Sequence, residues 1–145
     1  MNKNNTRILS LLLIFTLALS TMAAATAVSV PASDYIQNCS ADISSTGRGN
    51  VKVSFSITGT GTMDSIGASS IYLYESTGSG WKLVKSFLNT QSTYSYMMAS
   101  NTRSHSGNVT YSGTSGKQYY ATVYFWAGKN GGGDSASRTT SVVTA

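Results

Sequence analysis

The sequence predicts an all-β fold, a single sandwich of about seven short strands, and three observations carry that prediction. Apolar residues recur at period two in several separate stretches. The composition is rich in Ser, Thr, Gly and Tyr with one proline, Pro31, and no stretch sustains helical apolar spacing. Turn-forming clusters punctuate the chain at intervals of about 8 to 15 residues, the spacing of strands in a sandwich.

The first segment reads differently from the rest. Lys3 and Arg7 give it a positive start, and Ile8 to Leu19 supply about a dozen mostly apolar residues, too few to span a bilayer comfortably. Ala25-Thr26-Ala27 fits the small-residue cleavage rule, with Ala23-Ala24-Ala25 as a neighbouring alternative. Residues 1–27 are therefore expected to be a signal peptide, residues 28–145 the sandwich domain, and the product secreted, with no membrane association after cleavage. A retained anchor helix is the competing reading, and no second apolar segment follows to support it. The 118 residues that remain suffice for one core without metal or disulfide staples.

Removal of Lys3 and Arg7 lowers the basic count from ten and leaves the five acids, for a formal charge of about +3 spread from Arg48 to Arg138. That is no nucleic-acid footprint. Cys39 is the single cysteine, so no internal disulfide is available. It shares its parity with Tyr35, Ala41 and Ile43, which suggests a buried thiol behaving as a small hydrophobe; an intermolecular disulfide is the alternative. Asn38-Cys39-Ser40 and Asn108-Val109-Thr110 match the glycosylation pattern, which matters only in a host that glycosylates.

The clearest strand is Val51 to Thr58, where Val51, Val53, Phe55 and Ile57 alternate with polar residues. Tyr35 to Ser44 precedes it as a weaker strand, joined through the turn Thr46 to Asn50. Gly59 to Ser70 is expected to be mostly loop. Ile71 to Glu75 and Trp81 to Leu88 form a second hairpin about the turn Ser76 to Gly80. Beyond Asn89 the pattern loosens: Tyr94, Tyr96 and Met98 alternate with polar residues, and Ala99 to Asn108 reads as a long loop. From Tyr119 to Ala127 both faces are largely apolar, so the strand is either covered on both sides or carries an aromatic surface. A glycine-rich turn, Gly128 to Asp134, leads to a last polar strand, Ala136 to Thr144.

Ile71 to Leu88 together with Gln118 to Thr144, including YYATVYFWAGKNGGGDS, resembles the C to C′ and F to G parts of fibronectin type III domains. The resemblance covers about half of the exported part and implies an immunoglobulin-like sandwich. It departs from the family in two places. The strand with Phe55 lacks the family's tryptophan, and the Leu-and-Pro corner is missing around Ser112 to Lys117. The layout also looks like that of small exported Gram-positive proteins of unknown function.

Catalytic chemistry has little to draw on. The acids are Asp34, Asp42, Asp64, Glu75 and Asp134, and His105, the one histidine, sits in a polar stretch with no nucleophile motif beside it. One His and one Cys cannot close a zinc site, no calcium loop is present, and Gly128 to Gly133 lacks the strand-to-helix context of a phosphate cradle. The protein is expected to be no enzyme and to need no cofactor. The candidate binding residues are Tyr72 and Tyr74, outward if Ile71 and Leu73 point inward, and Tyr120, Tyr124 and Trp126, outward if Val123 and Phe125 point inward. Tyr and Trp suit protein interfaces and sugar stacking alike, and cross-strand aromatic pairs also stabilise sheets without any ligand. The expected role is an interaction module for an unknown protein or cell-wall glycan. The alternatives are a self-assembling subunit, joined through an edge such as Ala136 to Thr144, and a carbohydrate-binding module.

Overall fold

The computed structural model describes residues 33–145; the segment read as a signal peptide lies outside the described residues. Alternation builds the first hairpin. Strand β1 (Ile36–Gly47) pairs antiparallel with β2 (Asn50–Met63), and Val51, Val53, Phe55 and Ile57 of β2 are buried while Lys52, Ser54 and Ser56 face outward. The turn is tighter than the expected five residues. Gly47 pairs with Asn50, and only Arg48 and Gly49 lie between them, both at positive φ (55° and 80°), the two-residue geometry whose twist matches that of its strands.

Where a loop was expected from Gly59 to Ser70, the chain is strand almost throughout. β2 runs to Met63 and β3 (Ser65–Ser76) begins two residues later. Met63, Ile66 and Ala68 are buried, and that burial holds the backbone extended as it crosses from one sheet to the other. Asp64 fixes the corner: its N–H donates to the Gly128 carbonyl (2.9 Å) and its carboxylate accepts the Asn130 N–H (2.8 Å). β3 then turns back through Thr77 to Gly80 into β4 (Trp81–Leu88), as the hairpin signal predicts.

The middle of the chain differs most from expectation. Ser92–Met97 is a 3-10 turn rather than alternating strand, and β5 (Met98–Ala99) pairs with Ile66 and Gly67. The stretch read as a long loop is mostly β6 (Thr102–Ser112), which pairs with β2 along most of its length. Val109 is the one buried hydrophobe of β6, and Gly107 leaves room for the Phe55 ring, so this edge strand shows no apolar period.

The last third consists of β7 (Gln118–Lys129), β8 (Gly132–Thr139) and β9 (Val143–Thr144). The turn between β7 and β8 is only Asn130-Gly131, both at positive φ (53° and 80°), so Gly132 to Asp134 already belong to β8. The expected strand Ala136 to Thr144 is broken at Thr140. That buried hydroxyl accepts the Ala121 N–H (3.0 Å), and β9 then pairs with Gln118 and Tyr119.

Seven strands of eight residues or more and two short ones thus make two antiparallel sheets, ordered β1-β2-β6 and β4-β3-β7-β8, with β5 and β9 attached to β3 and β7. The all-β sandwich is as the sequence predicts. Its core lies between the sheets, where Phe55, Ile57, Ile71, Leu73, Phe87, Val123 and Phe125 are buried. At one end the fully buried Tyr119 accepts the Thr114 N–H (2.8 Å) and donates to the Glu75 carboxylate. Burial, assisted by Glu75, raises the pKa of its hydroxyl.

Candidate binding face

β7 explains its own two-sided apolar sequence. Tyr119, Ala121, Val123, Phe125 and Ala127 are fully buried against the core, and the residues between them stand on the opposite face of the large sheet, open to solvent. The strand is therefore central in its sheet but covered on one side only. Register brings the five predicted residues onto that outer face: Tyr120 pairs with Tyr74, Thr122 with Tyr72, Tyr124 with Ser70, and Trp126 with Gly67.

The rings are in contact rather than scattered. Tyr74 and Tyr120 stack with centroids 4.9 Å apart, and Tyr72 meets Tyr124 edge to face at 5.8 Å. Trp81, which the sequence reading passed over, packs edge to face on Tyr120 at 4.7 Å, and Leu83 pairs with Tyr74. Counting back from the Thr77 to Gly80 turn places both residues here, so the signal was present in the hairpin's length. Between them, Ser70, Tyr72, Tyr74, Leu83 and Tyr124 line a shallow open depression of about 350 Å³.

Trp126 is placed differently. A Cβ on Gly133 would stand 2.5 Å from its six-membered ring, and one on Gly128 3.0 Å from its indole nitrogen, so the side chain lies over the two glycines that pair at the end of the hairpin. It remains 38% exposed.

Hydroxyls fill the gaps. Ser135, Ser137 and Thr139 of β8 pair with Trp126, Tyr124 and Thr122, and the Thr122 and Thr139 hydroxyls are 3.2 Å apart. Charges are directed elsewhere. Glu75 is bound to Tyr119, Lys82 stands opposite Glu75 in the strand register, Lys85 lies 5.8 Å from the Phe87 ring, and Arg138 donates to the Ser137 carbonyl. Among the described residues, no outward register position of β3, β4, β7 or β8 carries a charged side chain across this aromatic field. The face displays aromatic rings and hydroxyls, groups that make contacts, stack and hydrogen-bond. No known protein family, curated protein or solved structure matches the chain.

Three further groups singled out in the sequence sit in surroundings of their own. His105 lies on β6 rather than in a loop, its Nε2 2.8 Å from the Tyr96 carbonyl oxygen and its ring 5.8 Å from Phe55. Asp134 is not simply a turn residue: its carboxylate accepts the Ser33 hydroxyl (2.6 Å) and the Tyr35 N–H (3.2 Å), and the Ser33 bond holds its pKa below the ordinary value. Cys39 is buried opposite Ile57, and burial raises its thiol pKa against the opposing pull of Arg138. An intermolecular disulfide there requires β1 to open first.

Proposed function

We propose that this chain is a secreted, non-catalytic binding module of immunoglobulin-like, fibronectin-like build that engages its ligand through the outer face of the large sheet. One observation carries the reading: six aromatic rings, those of Tyr72, Tyr74, Trp81, Tyr120, Tyr124 and Trp126, share a solvent-facing surface from which charge is absent. Cross-strand ring pairs stabilise a sheet by at most about 1 kcal/mol each, whereas a recognition surface gains in addition large rigid contact area at small entropic cost. The fibronectin-like reading is supported by the strand order and by Tyr119, which sits at the start of the penultimate long strand and bonds back to the backbone five residues upstream, in the manner of a tyrosine corner.

The test places charge on the face without touching the core. Thr122→Lys and Ser137→Lys are expected to leave the unfolding midpoint nearly unchanged and to weaken retention on a purified bacterial cell-wall preparation at least about tenfold. Lys52→Ser, outward on the small sheet, is expected to change nothing. Equal retention of all variants would sink the reading. Self-assembly is the alternative, and it is favoured at β8, whose eight pairs with β7 run without a bulge, whereas β4 at the opposite edge has one at Val84. Concentration-dependent oligomers in light scattering that persist in Thr122→Lys would decide for that edge.

A further inference from the structure

Resting on that reading of the outer face, we propose that the ligand is an uncharged polysaccharide and that Trp126 is the platform on which one of its sugar rings stacks. A pyranose presents a flat patch of polarised C–H bonds, and an aromatic face, negative at its centre, attracts them when it lies open and parallel to the approaching ring. Most aromatics of the face do not offer that. Tyr74 and Tyr120 cover one another, and Trp81 caps Tyr120 edge to face. Trp126 does offer it. The Nε1, Cζ2 and Cη2 atoms of its indole sit against Gly128 and Gly133, residues whose lack of a side chain leaves that space free, and the residue stays 38% exposed.

The surroundings choose among ligand classes. Single-stranded nucleic acid also stacks on aromatics, but it needs cations along its backbone, and none stands on this face. Acidic glycans and anionic lipid surfaces fail for the same reason. A protein interface is the stronger competitor, yet serine is depleted in such interfaces, and here Ser135 and Ser137 stand beside Trp126 and Tyr124. Hydroxyls interleaved with rings suit a polyol, which presents hydroxyl edges and apolar faces in alternation. From Trp126 the chain of sugars continues past Tyr124 to the depression beside Tyr72 and Leu83. From Trp126 to Tyr120 along β7 the face spans about 20 Å, room for several sugar residues.

The test is affinity electrophoresis of the purified protein in gels containing a soluble neutral polysaccharide (xylan, mannan or hydroxyethylcellulose), with polygalacturonate as the charged control. Fluorescence is read in Trp81→Phe, which leaves Trp126 as the remaining tryptophan. The expected result is retardation by at least one neutral polymer and not by the acidic one. A shift in Trp126 emission should accompany it, and Trp126→Ala should lose affinity at least about tenfold. Gly133→Val, which keeps the indole but tips it off its floor, should lose most of the affinity as well. Retardation indifferent to Trp126→Ala overturns the platform. Absence of neutral-polymer binding, with oligomers in light scattering that Thr122→Lys dissolves, overturns the polysaccharide and leaves the outer face as a surface for a second copy. Failure of the face-charging variants to alter any binding overturns both.

Discussion

Tyr119 is fully buried, yet its hydroxyl has a partner on each side, the Thr114 N–H and the Glu75 carboxylate. Removing that oxygen leaves two polar groups without their partner, and such groups cost more than the net gain of an ordinary hydrogen bond. Tyr119→Phe is therefore expected to lower stability by about 1–3 kcal/mol in urea denaturation with little change in slope. The outer face gives the contrast. Tyr124→Ser removes one edge-to-face pair and a 44% exposed ring, so the expected cost is at most about 1 kcal/mol. A loss of several kcal/mol would make the aromatic field a structural device rather than a binding surface. Thiol chemistry supplies a further check: Cys39, buried and with its thiolate disfavoured, should react with an aromatic disulfide reagent only as fast as the sandwich opens.

Strands and turns show why parts of the fold were legible in the sequence and others were not. β2 and β7 announce themselves because each buries one full face; Tyr120, Tyr124 and Trp126 followed from the alternation of β7, and Tyr72 and Tyr74 from that of Ile71 and Leu73 on β3. β6 is silent: an edge strand of polar residues, it is held by backbone pairing to β2 and by the space Gly107 leaves beneath Phe55, neither of which has a period. Trp81 and Leu83 were recoverable from turn length but not from hydropathy, and the low-lying indole of Trp126 depends on Gly128 and Gly133, which read simply as turn glycines. Two element-level outcomes follow. Gly131→Ala forces a Cβ into the left-handed region at φ 80° and should cost about 1–2 kcal/mol. Gly107→Val drives a branched side chain into the Phe55 ring, 2.8 Å from the first added carbon, and should detach β6 from β2, seen as lost amide protection along Thr102–Ser112.

Without an internal disulfide, the whole molecule stands on packing and on a few ionisable groups whose folded environments differ from water, and their signs set a pH window for stability. Asp134 has its folded pKa lowered below 3.8 by the Ser33 hydroxyl, so its contribution is complete above that ordinary value and is lost as pH falls through the folded one. Tyr119 and Cys39 have folded pKa values raised by burial above 10.0 and 9.0, so theirs is complete below those values and is lost as pH rises through the folded ones. Stability should accordingly hold a plateau from about pH 4 to pH 9, with an acid shoulder and an alkaline one. Asp134→Asn should lower the plateau and flatten the acid shoulder. Tyr119→Phe should lower the plateau and flatten the alkaline one above about pH 10, and Cys39→Ala should lower the plateau through the volume it removes from the core and flatten the start of the alkaline fall near pH 9. Urea midpoints at half-unit pH steps distinguish the three. An alkaline shoulder unchanged in Tyr119→Phe would mean that the phenol ionises without opening the core, and the end of the sandwich would then be looser than its hydrogen bonds indicate.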